Sequence, residues 1–126
     1  MILITGGAYQ GKLAFAQSIC EKTKPVIAEA ENVALEELKQ ADIVAHFHLY
    51  IKKLLQEKQE PKPWVLELLQ ENPNVILELT QLGCGVVPIE PFDRKYREEV
   101  GKISCMLAKL AEQVWMVNAG IGMRLK

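Results

Sequence analysis

The residues with the clearest chemical potential lie near the start of the chain. Gly6-Gly7-Ala8-Tyr9-Gln10-Gly11-Lys12 satisfies the spacing G-x-x-x-x-G-K. Glycines let a backbone wrap until successive N–H groups face one anion. A helix that follows adds unpaired N–H groups and the positive end of its dipole. Lys12 would then reach the outer phosphates of a nucleotide. The competing reading is a glycine turn with an exposed lysine. The strand-like run before the motif and the helical pattern after it favour phosphate. The candidate nucleotide contacts are therefore Gly6, Gly7, Ala8, Tyr9, Gln10, Gly11, Lys12 and Leu13. Position 13 ordinarily offers a Ser or Thr hydroxyl to magnesium. Leu13 has no oxygen to give. Magnesium neutralises transferring phosphates, so its loss bears on catalysis more than on anion binding.

Other polar residues carry weaker signals. Arg94 and Arg97 either clamp phosphate, across a subunit contact, or form a solvated helix face. His46 and His48 are read on a helix, where residues two apart do not face one ligand together, so they are surface or core histidines and not a metal pair. Asp42 is read as a helix N-cap. Cys84, between Gly83 and Gly85, reads as a small buried filler. Trp115 reads as core. No metal ligand set is expected, and no catalytic residue is assigned.

The elements that must position these groups alternate. Met1 to Thr5 is a short apolar run ended by glycine, which predicts a buried parallel strand. From Lys12 the pattern turns helical, with Lys22 and Lys24 where cations suit a helix C-terminus. Pro25 to Ala30 predicts a second strand. Val33 to Gln40 and Val44 to Glu57 predict helices, Glu57 to Glu60 a solvated turn, and Pro63 the first turn of another helix. Val75 to Leu79 predicts a strand, Gln81 to Pro91 a loop, Phe92 to Ala111 the longest helix, and Val114 to Val117 a final buried strand. Strands alternating with helices predict a three-layer α/β domain with a mostly parallel sheet, as in P-loop NTPases, over residues 1–126 as one domain.

Composition narrows the setting. The chain has 126 residues, 49% hydrophobic and 25% charged, with a net charge of −1. That apolar fraction suits a packed core and argues against disorder. A charge near zero offers no broad basic field, so nucleic acid is not an expected partner. No apolar run is long enough to span a membrane, and the glycines at 6 and 7 cut short any signal-like segment. Cys20, Cys84 and Cys105 are odd in number and form no C-x-x-C pair. Reduced thiols in a cytoplasmic protein are expected.

Three stretches bring a family to view. Gly83-Cys-Gly-Val-Val-Pro88 matches a G-x-G-[IV]-V-P loop, Arg94-Lys-Tyr-Arg97 an R-x-[FY]-R segment followed by Gly101, and Ala111-Glu-Gln-Val-Trp-Met-Val117 an A-[DE]-x-V-W-x-V strand. With the opening Met1 to Ala8 and the ending Gly120 to Lys126, the chain resembles the bifunctional adenosylcobinamide kinase/adenosylcobinamide-phosphate guanylyltransferases of cobalamin biosynthesis. The resemblance implies a P-loop fold, oligomers, GTP or ATP as ligand, and a corrinoid as the second partner. It implies phosphorylation of the corrinoid aminopropanol hydroxyl, then GMP transfer through a guanylylated histidine. It also implies loop or phosphate contacts at Gln81, Gly83, Gly85, Arg94 and Arg97. The chain departs from the pattern in four places. The segment bearing the nucleotide-accepting histidine has no counterpart after Ala30. Ala45 stands where the family has its magnesium-organising Asp. Leu13 removes the other side of that metal site. Thr80-Gln81 replaces the usual Asn-Glu. These departures predict nucleotide binding without the full chemistry, either as an impaired transferase or as a non-catalytic binding or oligomer-completing protein.

Overall fold

The computed structural model describes residues 1–82 and 89–126. Strand β1 (Ile2–Gly6) leads into α1 (Lys12–Ile19), then β2 (Ile27–Glu29), a 3-10 turn (Ala30–Asn32) and α2 (Leu35–Lys39). Next come β3 (Ile43–Ala45), α3 (Phe47–Gln56), α4 (Pro61–Glu71) and β4 (Ile76–Thr80). The chain ends with α5 (Pro91–Leu110), β5 (Gln113–Asn118) and β6 (Ile121–Arg124). The strands form one six-stranded sheet in the order β2-β3-β4-β1-β5-β6. All pairings are parallel except β5 with β6.

Side chains alternate across each strand, so the sheet feeds two apolar clusters. Leu3, Val44, Leu77 and Leu79 join Phe47, Ile51, Leu54, Val65, Leu68, Val100, Ile103 and Leu107 on one face. Ile4, Ile43, Ile76 and Val117 join Ala16 on the other, with Leu13, Phe15 and Ile19 of α1 against them. This is the expected α/β architecture, with helices on both faces of a mostly parallel sheet.

Several expected boundaries shift. Ile43 to Ala45 is a strand, not the start of a helix. All three residues are buried between β2 and β4. Three apolar residues are too few to show a period of two, so they merge in the sequence with the apolar stripe of α3. Asp42 consequently caps no helix. It accepts the Val26 N–H at 2.7 Å and pairs with Lys22 at 2.7 Å. The Lys22 ammonium and the Val26 N–H hold its carboxyl below the usual carboxylate range. Helix α1 stops at Ile19, so Lys22 serves this contact and not a helix end. Helix α4 begins at Pro61 and not Pro63. Proline at the first helical position has no N–H to waste, and either residue satisfies that rule. A hairpin strand, β6, extends beyond the expected last strand. Asn118 pairs with Ile121 around a two-residue turn whose Ala119 and Gly120 have φ of 50° and 75°. Positive φ at both turn residues matches the right-handed twist of the flanking strands.

Candidate functional site

Parallel α/β sheets bind ligands outside the carboxyl ends of their strands. On that rim β1 opens into the loop 6–12, and the loop's shape follows from its glycines. Gly6 has φ of 149° and Gly11 φ of 83°. An added Cβ on Gly6 would lie 2.5 Å from the Val117 carbonyl oxygen, and on Gly11 3.2 Å from Gly120 Cα. The two glycines of the motif are thus required by backbone shape and by close approach to β5 and the hairpin turn. The loop is tied to that turn. Gln10 Oε1 accepts the Ala119 N–H at 2.7 Å, and the Gln10 carbonyl accepts the Gly120 N–H at 2.8 Å. Tyr9, with φ of 60°, projects fully into solvent. Ala8 is also exposed.

Lys12 opens α1 and is 5% exposed. Its Nζ donates to the Gly7 carbonyl at 2.6 Å and forms an ion pair with Glu78 Oε1 at 3.6 Å. Glu78, on β4, is 2% exposed. Its Oε2 accepts the His46 N–H at 2.6 Å. One carboxylate therefore joins the loop lysine to the turn between β3 and α3. Glu78 escaped the sequence reading. The signal was a single charged residue inside the otherwise apolar run Val75 to Leu79, all of it buried. A charge in such a run needs a partner, but the sequence does not say which.

His46 and His48 also sit on this rim. His46 precedes α3 with φ of 56°, so it is not helical as expected. Its Nδ1 lies 2.8 Å from Glu29 Oε2 at the end of β2. His48 is buried and accepts the Thr80 N–H on Nδ1 at 3.3 Å. Burial, followed by the charges of His46, Lys12 and Lys52, pushes its pKa down to about 4. The two rings meet edge to face, with centroids 5.9 Å apart.

The remaining candidates divide. Gln81 reaches the loop through its main chain, its N–H donating to the Gly6 carbonyl at 2.9 Å. Gly83 and Gly85, with Cys84, lie outside the described residues. Arg94 and Arg97 fall in the first turns of α5, where Arg94 is exposed and Arg97 is half-buried and partnered. Trp115 is only half-buried and stacks at an angle on Phe15 at 5.2 Å. A cleft of about 470 Å³ opens at the opposite rim, bordered by Ile19, Lys22, Asp42 and Glu112. It is remote from the loop and shares none of its residues.

Magnesium does not fit the groups beside the loop. Leu13 packs its aliphatic side chain into the cluster under α1, and Ala45 is buried. The nearby carboxylate, Glu78, has one oxygen on a backbone N–H and the other on Lys12. Among the described residues no three His, Cys, Asp or Glu side chains converge to hold a metal ion.

Fold and rim together define a three-layer α/β domain of the P-loop NTPase type. Residues 28–125 match the family described as cobinamide kinase / cobinamide phosphate guanyltransferase, and the chain belongs to that family. The matched range begins at Ala28, so the loop 6–12 stands on its own geometry. The chain is 36% identical over 52 residues to the bifunctional adenosylcobalamin biosynthesis protein CobU of Salmonella typhimurium, covering 41% of this chain and 29% of that protein. The CobU protein of Escherichia coli matches to the same extent. The bifunctional adenosylcobalamin biosynthesis protein CobP of Pseudomonas aeruginosa is 38% identical over 63 residues, covering 49% of this chain and 36% of that protein. The match spans about a third of the length of these relatives. Among the described residues no helix is long and apolar enough to cross a membrane.

Proposed function

We propose that this protein holds the phosphates of GTP or ATP on Gly6 to Leu13, as a cobinamide-kinase family member whose transfer chemistry is reduced. The observation that carries this reading is the loop itself. Two glycines at positive φ turn the loop, which ends at the N-terminus of the eight-residue α1. That arrangement binds anions through N–H groups and the helix dipole. Reduced chemistry is supported by Leu13 and Ala45, neither of which offers an oxygen to magnesium. Without the metal a transferring phosphoryl group loses its main source of charge neutralisation. The reading places the protein in the cytoplasm, in cobalamin biosynthesis, as a homo-oligomer with a corrinoid as its second ligand.

Calorimetric titration of GTP and ATP, with and without magnesium, tests this. Binding should change less than about threefold on adding magnesium. Lys12→Ala should weaken it by about tenfold or more, the worth of one charge-assisted hydrogen bond. Absence of nucleotide binding overturns the reading. Formation of phosphorylated or GDP-linked adenosylcobinamide above a Lys12→Ala control overturns the reduced-activity part.

A further inference from the structure

Strand pairing places a buried carboxylate where the phosphate loop would meet its ligand. Val44 lies opposite Leu77 in the β3–β4 register, so Ala45 stands beside Glu78. Both are buried, and the small side chain at 45 leaves the Glu78 carboxylate nothing to compete with. Ile4 of β1 is opposite Glu78 on its other side, and Ile4 belongs to the face that α1 covers. Glu78 therefore points toward α1, where it meets Lys12 at 3.6 Å. The same ammonium donates to Gly7 inside its own loop. In this arrangement the motif lysine is neutralised internally. The remaining attraction for phosphate comes from backbone N–H groups and the helix dipole, which together amount to a fraction of a charge.

We propose that Glu78 is a positioning residue that sets how tightly the loop holds phosphate. It is a fixed counter-charge that phosphate must compete with for Lys12, and it weakens the loop's hold on polyphosphate. This rests on the reading that the loop binds phosphate. Glu78 cannot swing away to serve a cation without releasing the His46 N–H, because Oε2 holds that group at 2.6 Å. His46 in turn has positive φ, a conformation that needs external support. The carboxylate thus stays in place when a ligand arrives, and Lys12 is shared between the two anions. Inorganic triphosphate, which carries no base or sugar, is the minimal ligand that this site should recognise.

The test measures binding of inorganic triphosphate and of GTP, with and without magnesium, to the full chain and to Glu78→Gln, Lys12→Ala and the double variant. Glutamine keeps an oxygen for the His46 N–H and removes the charge. Glu78→Gln should bind triphosphate about tenfold more tightly. The gain should vanish when Lys12 is also alanine. A second readout needs no ligand. Acylation of Lys12 by an amine reagent, followed by mass spectrometry, should be slow relative to exposed Lys24 and should accelerate in Glu78→Gln. Should that variant not fold, Glu78→Asp shortens the carboxylate and should give a smaller change of the same sign in both measurements. Unchanged or weaker triphosphate binding with unchanged Lys12 acylation overturns the proposal. So does magnesium-stimulated binding that Glu78→Gln abolishes, because Glu78 would then be a metal anchor. Accelerated acylation without any triphosphate binding keeps the Lys12–Glu78 pairing but overturns both the ligand role and the phosphate reading.

Discussion

Replacing Gly6 by alanine would put a Cβ 2.5 Å from the Val117 carbonyl oxygen, at φ of 149°. The neighbour is backbone of β5, which cannot rotate away. The backbone conformation alone costs about 1–3 kcal/mol for a residue other than glycine. Overlap with a packed neighbour adds about 1–3 kcal/mol. A loss of about 2–6 kcal/mol is expected. That is a large share of the total for 126 residues, at roughly 0.05–0.15 kcal/mol per residue. Gly7→Ala is the control. Its nearest contact would be Gln10 Cγ at 3.8 Å, an ordinary approach. Equilibrium urea unfolding measures both. With a slope of about 1–3 kcal/mol per molar, Gly6→Ala should lower the midpoint by about 0.7 M or more, and Gly7→Ala by less than about 0.5 M. Gly6 also accepts the Gln81 N–H, so the first variant should disturb the proposed phosphate site even where it remains folded. A Gly6→Ala midpoint within about 0.3 M of the parent would refute the reasoning. Equal losses at the two positions would refute it as well.

Gly101 lies within α5, where an added Cβ meets none of the described residues within 4 Å. Gly101→Ala should stabilise the protein by about 0.5–1 kcal/mol in the same unfolding assay, through helix propensity alone. Destabilisation there would refute the helix-propensity reasoning. His48 gives the pH dependence. Its folded pKa, about 4, is below the ordinary value of 6.5. The unfolded chain therefore binds the proton first, and stability should fall as pH drops from about 6.5 to about 4. His48→Gln should flatten that window in unfolding midpoints measured across pH. An unchanged slope would show that other groups set it.

Local pattern carried much of the architecture. The five-residue apolar run before the glycines, the stripe on α5 and the Trp115 strand all read directly, because each is long or sharply bounded. Strand β3 did not, because three residues carry no usable period. The hairpin strand β6 did not, because its exposed Ile121 and Met123 resemble a chain end. The family was legible from motifs in the last third, and the match over residues 28–125 agrees.

The spacing G-x-x-x-x-G-K by itself determined where the backbone would turn. Its two glycines mark the two places in the loop where glycine conformation and close packing are both required, and that is a local property. What Lys12 does was decided only by the tertiary structure. Parallel pairing of β1 with β4 brings Glu78 beneath the loop, and β3 brings His46 N–H to the same carboxylate. These residues are distant in the chain. A buried charge announces that it has a partner, but strand order determines which partner it finds.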